Sequence, residues 1–190
     1  MSDSLRISDK KTNSGLVFCV LFSVLFIVLV AADQIIKQII VNTVKANGTV
    51  TVIKNFFYLY YAENTGSAFS LFADKPWGIY FLSGVSTILG IGIFVLMIIA
   101  CRNSMKLIGL AFCLLSAGAV GNLIDRFRLK YVVDYLRFDF GSYTFPIFNF
   151  ADMCAVVGTI LLICIIVFGS KYFESFWGLL FAKRKKENAG

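Results

Sequence analysis

Residues 77–100 read WGIYFLSGVSTILGIGIFVLMIIA and residues 107–124 read LIGLAFCLLSAGAVGNLI, with only CRNSMK between them. Each run is apolar over about the 20 helical residues needed to cross the roughly 30 Å hydrocarbon core of a bilayer. The short connection, holding Arg102, Asn103 and Lys106, has room only for a tight helical hairpin. Working outward, two more runs of this kind appear, at residues 16–32 and 148–168. The expected fold is therefore an α-helical integral membrane protein of one domain, spanning residues 1–190. Its four transmembrane helices are expected at about 16–36, 77–100, 107–124 and 148–169, with outer loops at 38–76 and 125–147.

The composition agrees. Of 190 residues, 58% are hydrophobic and 15% charged, and the mean hydropathy is +0.81. A soluble domain carries about 25% charged residues. A disordered chain is excluded and a water-soluble enzyme is set aside. The chain has no His, which removes Ser-His-Asp triads, Cys-His dyads and His-based metal sites together. Any catalysis must run on Asp, Glu, Lys, Ser, Cys or Tyr. The five cysteines (Cys19, Cys101, Cys113, Cys154 and Cys164) form no C-x-x-C pair, and four sit in apolar runs as small hydrophobes. No metal and no cofactor is expected. A net charge of +7 is a weak hint of nucleic acid. A basic tail beside a membrane explains it better, so no nucleic-acid partner is expected.

The first run has a competing reading as a cleavable secretory signal, because Lys10 and Lys11 precede it and it ends Val30-Ala31-Ala32. Against that, it is longer than the usual signal core, and the residues immediately after it look functional. No lipobox-type Cys stands there. With four spans, helix ends alternate sides. Arg6, Lys10 and Lys11, then Arg102 and Lys106, then Lys183, Arg184, Lys185 and Lys186 fall on one face. The excess of Lys and Arg puts that face, with both termini (1–15 and 171–190), in the cytoplasm. Arg126, Arg128, Lys130 and Arg137 on the opposite side weaken the bias without reversing it.

The outer segments carry their own pattern. Residues 48–61 (GTVTVIKNFFYLYY) are rich in β-branched and aromatic residues, and 131–136 and 142–148 alternate in places. A small extracytoplasmic β-sheet at the membrane surface is expected, with a loose amphipathic loop as the alternative. The aromatic, then basic, C-terminal segment is expected to rest on the inner interface.

Ionisable residues at membrane depth are costly and by default mark function. Here they gather at one face. Asp33 and Lys37 lie four apart at the outer end of the first helix. Asn122, Asp125 and Arg126 close the third, Asn149 and Asp152 open the fourth, and Asp134 sits in the apolar VVDYL just before it. Asp33 and Lys37 read equally as a helix-end ion pair with a snorkelling lysine or as part of a site. Asp125 beside Arg126 reads as a structural pair more than as a catalytic acid. Asp134 and Asp152 have no adjacent basic residue. Two carboxylates of that kind, if brought together, would share a proton, one activating a water and the other protonating a leaving amide. Capping or hydrogen bonding of the loop is the alternative.

Five blocks in order resemble the bacterial lipoprotein signal peptidase (signal peptidase II) family. They are Asp33-Gln34-x-x-Lys37, Asn64-Thr65-Gly66-Ser67-Ala68-Phe69, Gly121-Asn122-Leu123-Ile124-Asp125-Arg126, Val132-Val133-Asp134-Tyr135 and Phe148-Asn149-Phe150-Ala151-Asp152. The likeness covers about residues 16 to 170. It implies four transmembrane helices with a small outer β-cradle and a mobile outer segment. It implies an aspartic endopeptidase of the bacterial cytoplasmic (inner) membrane that cleaves diacylglyceryl-modified prolipoproteins on the N-terminal side of the lipidated Cys. The catalytic pair it implies is Asp134 and Asp152; Asp125, an acid at the same membrane face, is the rival to Asp134, and the choice between them rests on the family pattern. Asp33, Lys37, Asn64, Gly66, Asn122, Asp125, Arg126 and Asn149 would bind substrate or brace the site, at the outer face of the membrane.

Three further expectations go with this reading. Membrane lipids are partners, the chain is monomeric, and small residues on the third helix (Ser116, Ala117, Gly118, Ala119, Gly121) permit close backbone approach, whether for substrate or for plain helix packing. Asn64 with Gly66, or Asn122 with Asn149, are rival sources of donors to an oxyanion or to the substrate backbone. A small ion- or proton-coupled transporter and a non-catalytic membrane scaffold are the alternative functions. The first lacks the internal repeat usual in transporters.

Overall fold

The computed structural model describes residues 2–65 and 78–187. Helix α1 (Ser2–Ile40) runs on into a π-helical turn, Val41–Lys45. Gly48, at φ 93°, releases the chain from that turn into a hairpin of β1 (Val50–Ile53) and β2 (Phe57–Asn64). Helices α2 (Gly78–Arg102) and α3 (Lys106–Leu129) form the expected membrane hairpin. Strands β3 (Val132–Phe140) and β4 (Tyr143–Thr144) turn about Gly141, at φ 63°. Helices α4 (Phe150–Phe168) and α5 (Ser170–Glu187) complete the chain.

Four helices are long and apolar enough to span a bilayer, over Ser14–Lys45, Ser83–Arg102, Lys106–Leu129 and Phe150–Phe168. Two boundaries move relative to the sequence-based expectation. The first helix and its π-helical turn run to Lys45, past the expected end at about residue 36. The third helix reaches Leu129, so Asp125 and Arg126 are helical rather than loop residues. Arg126 and Arg128 in its last turn complement the helix dipole, and Lys130, in a left-handed conformation, closes it with an N–H bond to the Arg126 carbonyl at 3.2 Å. The C-terminal segment, to which the sequence assigned no secondary structure, is helix α5.

Helix α3 is central and packs against α1, α2 and α4. Its small residues make this possible. A Cβ on Gly118 would run into the Ala151 carbonyl of α4, and one on Gly121 would stand 2.7 Å from Asp33 Oδ2 of α1. Met97, Cys101, Met105, Ile108, Phe112, Ile165 and Phe176 fill the core at the hinge end of the bundle. The outward faces of α1 and α4 are apolar too, with Val24, Ile27 and Val28, and Val156, Ile160 and Ile163, exposed. Water would penalise such a surface, and a hydrocarbon solvent does not.

The strands form a four-stranded antiparallel sheet in the order β1-β2-β3-β4. Ile40 and Val44 pack with Val133 and Tyr135 of β3, seating the sheet on the outer end of α1. Lys45 Nζ, Tyr61 Oη, Glu63 Oε1 and Tyr131 Oη, linked at 2.8–3.0 Å, tie β2 to that end as well. Because side chains alternate along a strand, burying Val133 and Tyr135 this way turns Asp134 to the opposite face, towards the bundle.

Candidate active site

The site is assembled where α1, α3, β2, β3 and the start of α4 converge. Asn149 is the N-cap of α4. Its side-chain oxygen accepts the Asp152 N–H, and Asp152 accepts the Asn149 N–H in return, each at 3.0 Å. This reciprocal capping fixes the Asp152 carboxylate on the first turn, where the helix dipole is positive. The Asn149 amide nitrogen reaches across to Asp134 Oδ1 at 2.7 Å. One residue therefore holds both acids. Asn122 Nδ2 donates to Asp152 Oδ1 at 2.7 Å, and Asn64 Nδ2 donates to Asp134 Oδ2 at 2.9 Å. Every carboxylate oxygen of the pair thus accepts an N–H.

Asn64 pairs with Val132 in the β2–β3 ladder, two residues from Asp134, so it meets that carboxylate diagonally on the same face. Asp134 is buried, and burial pushes its carboxyl up to about 6. The Asn64 bond works against that rise, while the Asp152 charge adds to it.

Beneath the pair lies a second polar layer. Lys37 Nζ is 2.9 Å from Asp33 Oδ2, from Asp125 Oδ2 and from Asn122 Oδ1. Asp33, Lys37 and Asp125 are all buried. Asp33 Oδ1 accepts the Ala151 N–H of α4 at 3.0 Å, and Asp125 Oδ2 accepts the Val133 N–H of β3 at 3.1 Å. These carboxylates staple α4 and β3 to α1 and α3 on either side of the acid pair. A buried lysine between two buried acids is stable only when such bonds complete it. Among the described residues, Asp125 finds its cation in Lys37 and not in the neighbouring Arg126.

Among the described residues, one hollow lies beside Asn122, which donates to Asp152, and another is lined by Asp152 itself. The first, of about 240 Å³, lies among Ser86, Leu89, Ile93, Gly118, Asn122 and Arg126. The second, of about 390 Å³, lies among Phe145, Phe148, Met153, Val156 and Val157. The first is mixed in character and the second is apolar but for Asp152. The Arg126 Nε is buried without a hydrogen-bond partner among the described residues. The Arg126 guanidinium, beside Asn122 and Ser86 in the lining of the first hollow, thus keeps an N–H to donate.

Of the ten residues named from the sequence, nine are described, and they form these two layers and their rim. Gly66 lies outside the described residues. Gln34 stands in the first block without an assigned role, yet its amide bonds Asp33 Oδ2, the Gly121 carbonyl and Asp125 Oδ1 at 3.1–3.2 Å. Its adjacency to Asp33 at a helix end was the available signal. Tyr135, in the fourth block and likewise without an assigned role, accepts the Phe150 N–H on its hydroxyl at 3.2 Å.

A four-helix membrane bundle with buried, amide-bound carboxylates at one end has the architecture of an aspartic-type membrane peptidase. The chain belongs to the signal peptidase II family. The model of that family, described as Signal peptidase (SPase) II, matches residues 25–168. The lipoprotein signal peptidase of Clostridium tetani is 36% identical over 146 residues, covering 76% of this chain and 91% of that protein. That of Bacillus subtilis is 33% identical over 142 residues, covering 75% and 90%. A bacterial membrane enzyme solved by the in meso method at 2.3 Å superposes with a TM-score of 0.67 at 30% identity, covering 79% of this chain and 89% of that one. The chain is an aspartic-type peptidase of the bacterial inner membrane, from a family that removes lipoprotein signal peptides.

Proposed function

We propose that Asp134 and Asp152 form the catalytic dyad and that the substrate is a diacylglyceryl-modified prolipoprotein, cut on the N-terminal side of the lipidated Cys. The observation that carries this is the Asn149 link, in which one residue donates to both carboxylates, at 2.7 and 3.0 Å.

A water held between the acids loses a proton to Asp152 as its oxygen attacks the scissile carbonyl. The proton on Asp134, favoured by burial, passes to the amine of the lipidated Cys as the C–N bond breaks. Arg126, with its spare N–H, donates to the substrate backbone or to the developing oxyanion. Asn64, Asn122 and Asn149 orient the acids. Asp33, Lys37, Asp125 and Gln34 brace the elements that carry them, and Gly66 is kept as a site residue on the resemblance alone.

The dyad sits at the outer membrane face, with both termini cytoplasmic, the orientation that the lysine and arginine bias favours. There the acyl chains stay in lipid while the peptide bond meets water. The chain works as a monomer within residues 1–190, with bilayer lipids around it and no cofactor.

The deciding assay incubates the purified protein with diacylglyceryl-modified precursor. Cleavage is expected for the parent chain and none for Asp134→Asn or Asp152→Asn, each still folded and inserted. Normal cleavage by either variant removes that residue from the dyad. The unlipidated precursor is expected to be a poor substrate, because burial of the acyl chains contributes about 0.8 kcal/mol per CH₂. Equal rates for both forms refute lipid recognition.

A further inference from the structure

The family match ends at residue 168, and the chain then adds an 18-residue helix, α5, that the peptidase site does not use. We propose that α5 is an in-plane anchor that binds anionic phospholipid at the hinge end of the bundle.

Gly169 ends α4, its N–H bonding the Ile165 carbonyl at 2.9 Å. Helix α5 then packs across the hinge end of the bundle. Phe176 is buried there against Phe112 of α3, ring centroids 5.7 Å apart, with Tyr172, Phe173 and Leu180 beside it. At 100° per residue, this inward stripe occupies only part of the apolar arc. A second stripe lies next to it around the helix. Phe173, Trp177 and Phe181 form a ladder with centroids 6.2 and 4.8 Å apart, and Trp177 remains 54% exposed. The remaining arc carries Lys171, Glu174, Ser175 and Gly178, with Leu179, exposed, between Ser175 and the inward stripe.

A helix with one apolar stripe on protein, an aromatic stripe uncovered and a polar back fits the plane where acyl chains meet headgroups. The indole and phenyl rings are of the kind that populate that depth. Charge selects the occupant. Residues 183–186 read KRKK, and α5 carries five basic residues against two acidic ones. Arg102 and Lys106 of the hinge add cations at the same end of the bundle. A cationic amphipathic helix of this kind takes a negatively charged lipid surface in preference to a neutral one. The proposal is independent of the reaction performed at the opposite end.

The test uses the full chain in lipid nanodiscs. Of its two tryptophans, Trp77 is replaced by Phe, leaving Trp177 as reporter. Fluorescence quenching by brominated phosphatidylglycerol is compared with quenching by brominated phosphatidylcholine at equal mole fraction. The anionic lipid is expected to quench about twofold more, and the ratio to fall to one when Lys183, Arg184, Lys185 and Lys186 are all changed to Gln. The difference between the parent chain and Trp177→Phe gives the same reading without touching Trp77. Equal quenching by the two lipids in the basic chain overturns the charge selection. Absence of quenching by either shows that water or another protein covers the ladder, and overturns the anchor.

Discussion

Asn149 donates its side-chain amide to Asp134 at 2.7 Å while its own cap geometry holds Asp152, so helix capping and site assembly are one structure. The two functions separate by mutation. Both Asn149→Ser and Asn149→Ala strip buried acceptors of the amide and should cost about 1–3 kcal/mol of stability for that. Asn149→Ser keeps an N-cap oxygen, however, whereas Asn149→Ala should cost about 1 kcal/mol more. Both lose the bond to Asp134, and both should lower kcat by about a hundredfold. Thermal unfolding in detergent together with cleavage rates checks this, and an active Asn149→Ser variant would count against the shared hold on the dyad.

The titration of Asp134 has a definite sign. Its folded value of about 6 lies above the ordinary 3.8, so between those values the folded chain holds a proton that the unfolded chain has released. The contribution of this group to stability is greatest at pH 4 and below and declines as pH rises to about 6. A series of unfolding midpoints across that range should show the slope, and Asp134→Asn should remove it. With Asp134 as proton donor, kcat/KM should fall as pH rises through about 6, the limb belonging to the acid pair as a unit.

Lys37 neutralises two buried acids at 2.9 Å. Lys37→Met leaves Asp33 and Asp125 buried without their cation and should destabilise by about 3–5 kcal/mol. Asp33→Asn combined with Lys37→Met and Asp125→Asn should recover much of that loss. Chemical unfolding of the single and triple variants measures it, and no gain in the triple variant would count against a charge-balanced staple.

Gly121 touches Asp33 so closely that Gly121→Ala would place a methyl 2.7 Å from Oδ2 and 3.0 Å from the Ala151 Cβ. Overpacking of this kind costs about 1–3 kcal/mol. Activity should fall with it, because Asp33 holds the Ala151 N–H one residue from Asp152. Gly92→Ala, with nothing within 4 Å of its new Cβ, is the control and should be neutral or slightly stabilising.

Metal dependence is a separate check. The chain lacks His, and among the described residues no three Cys, Asp or Glu side chains are grouped to hold an ion. Cleavage is therefore expected to proceed at an unchanged rate in EDTA. Loss of activity restored by zinc would replace the acid-pair mechanism.

What the sequence by itself determined is largely one-dimensional. The length of the apolar runs set four spans, because bilayer thickness converts directly into residue number. The alternation and β-branching of 48–61 pointed to strands, and the i, i+3 spacing of Asn149 and Asp152 already contained the capping box. Asp33 and Lys37, four apart, already contained an ion pair. The ordered blocks added the family and a candidate set of site residues.

The tertiary structure decided the partners. Asp125 stands next to Arg126 in the chain, yet α3 presents it to Lys37 of α1, 88 residues away, because helical neighbours i and i+1 face different directions. Gln34 became a three-way brace only once Gly121 let α3 approach it. Asp134 meets Asp152 through Asn149 because burial of Val133 and Tyr135 against α1 sets which face of β3 the acid occupies. Local patterns are written in sequence because one helix or strand creates them. Contacts between distant acids, amides and a lysine depend on how those elements pack, and the close approach of α3 decides them here.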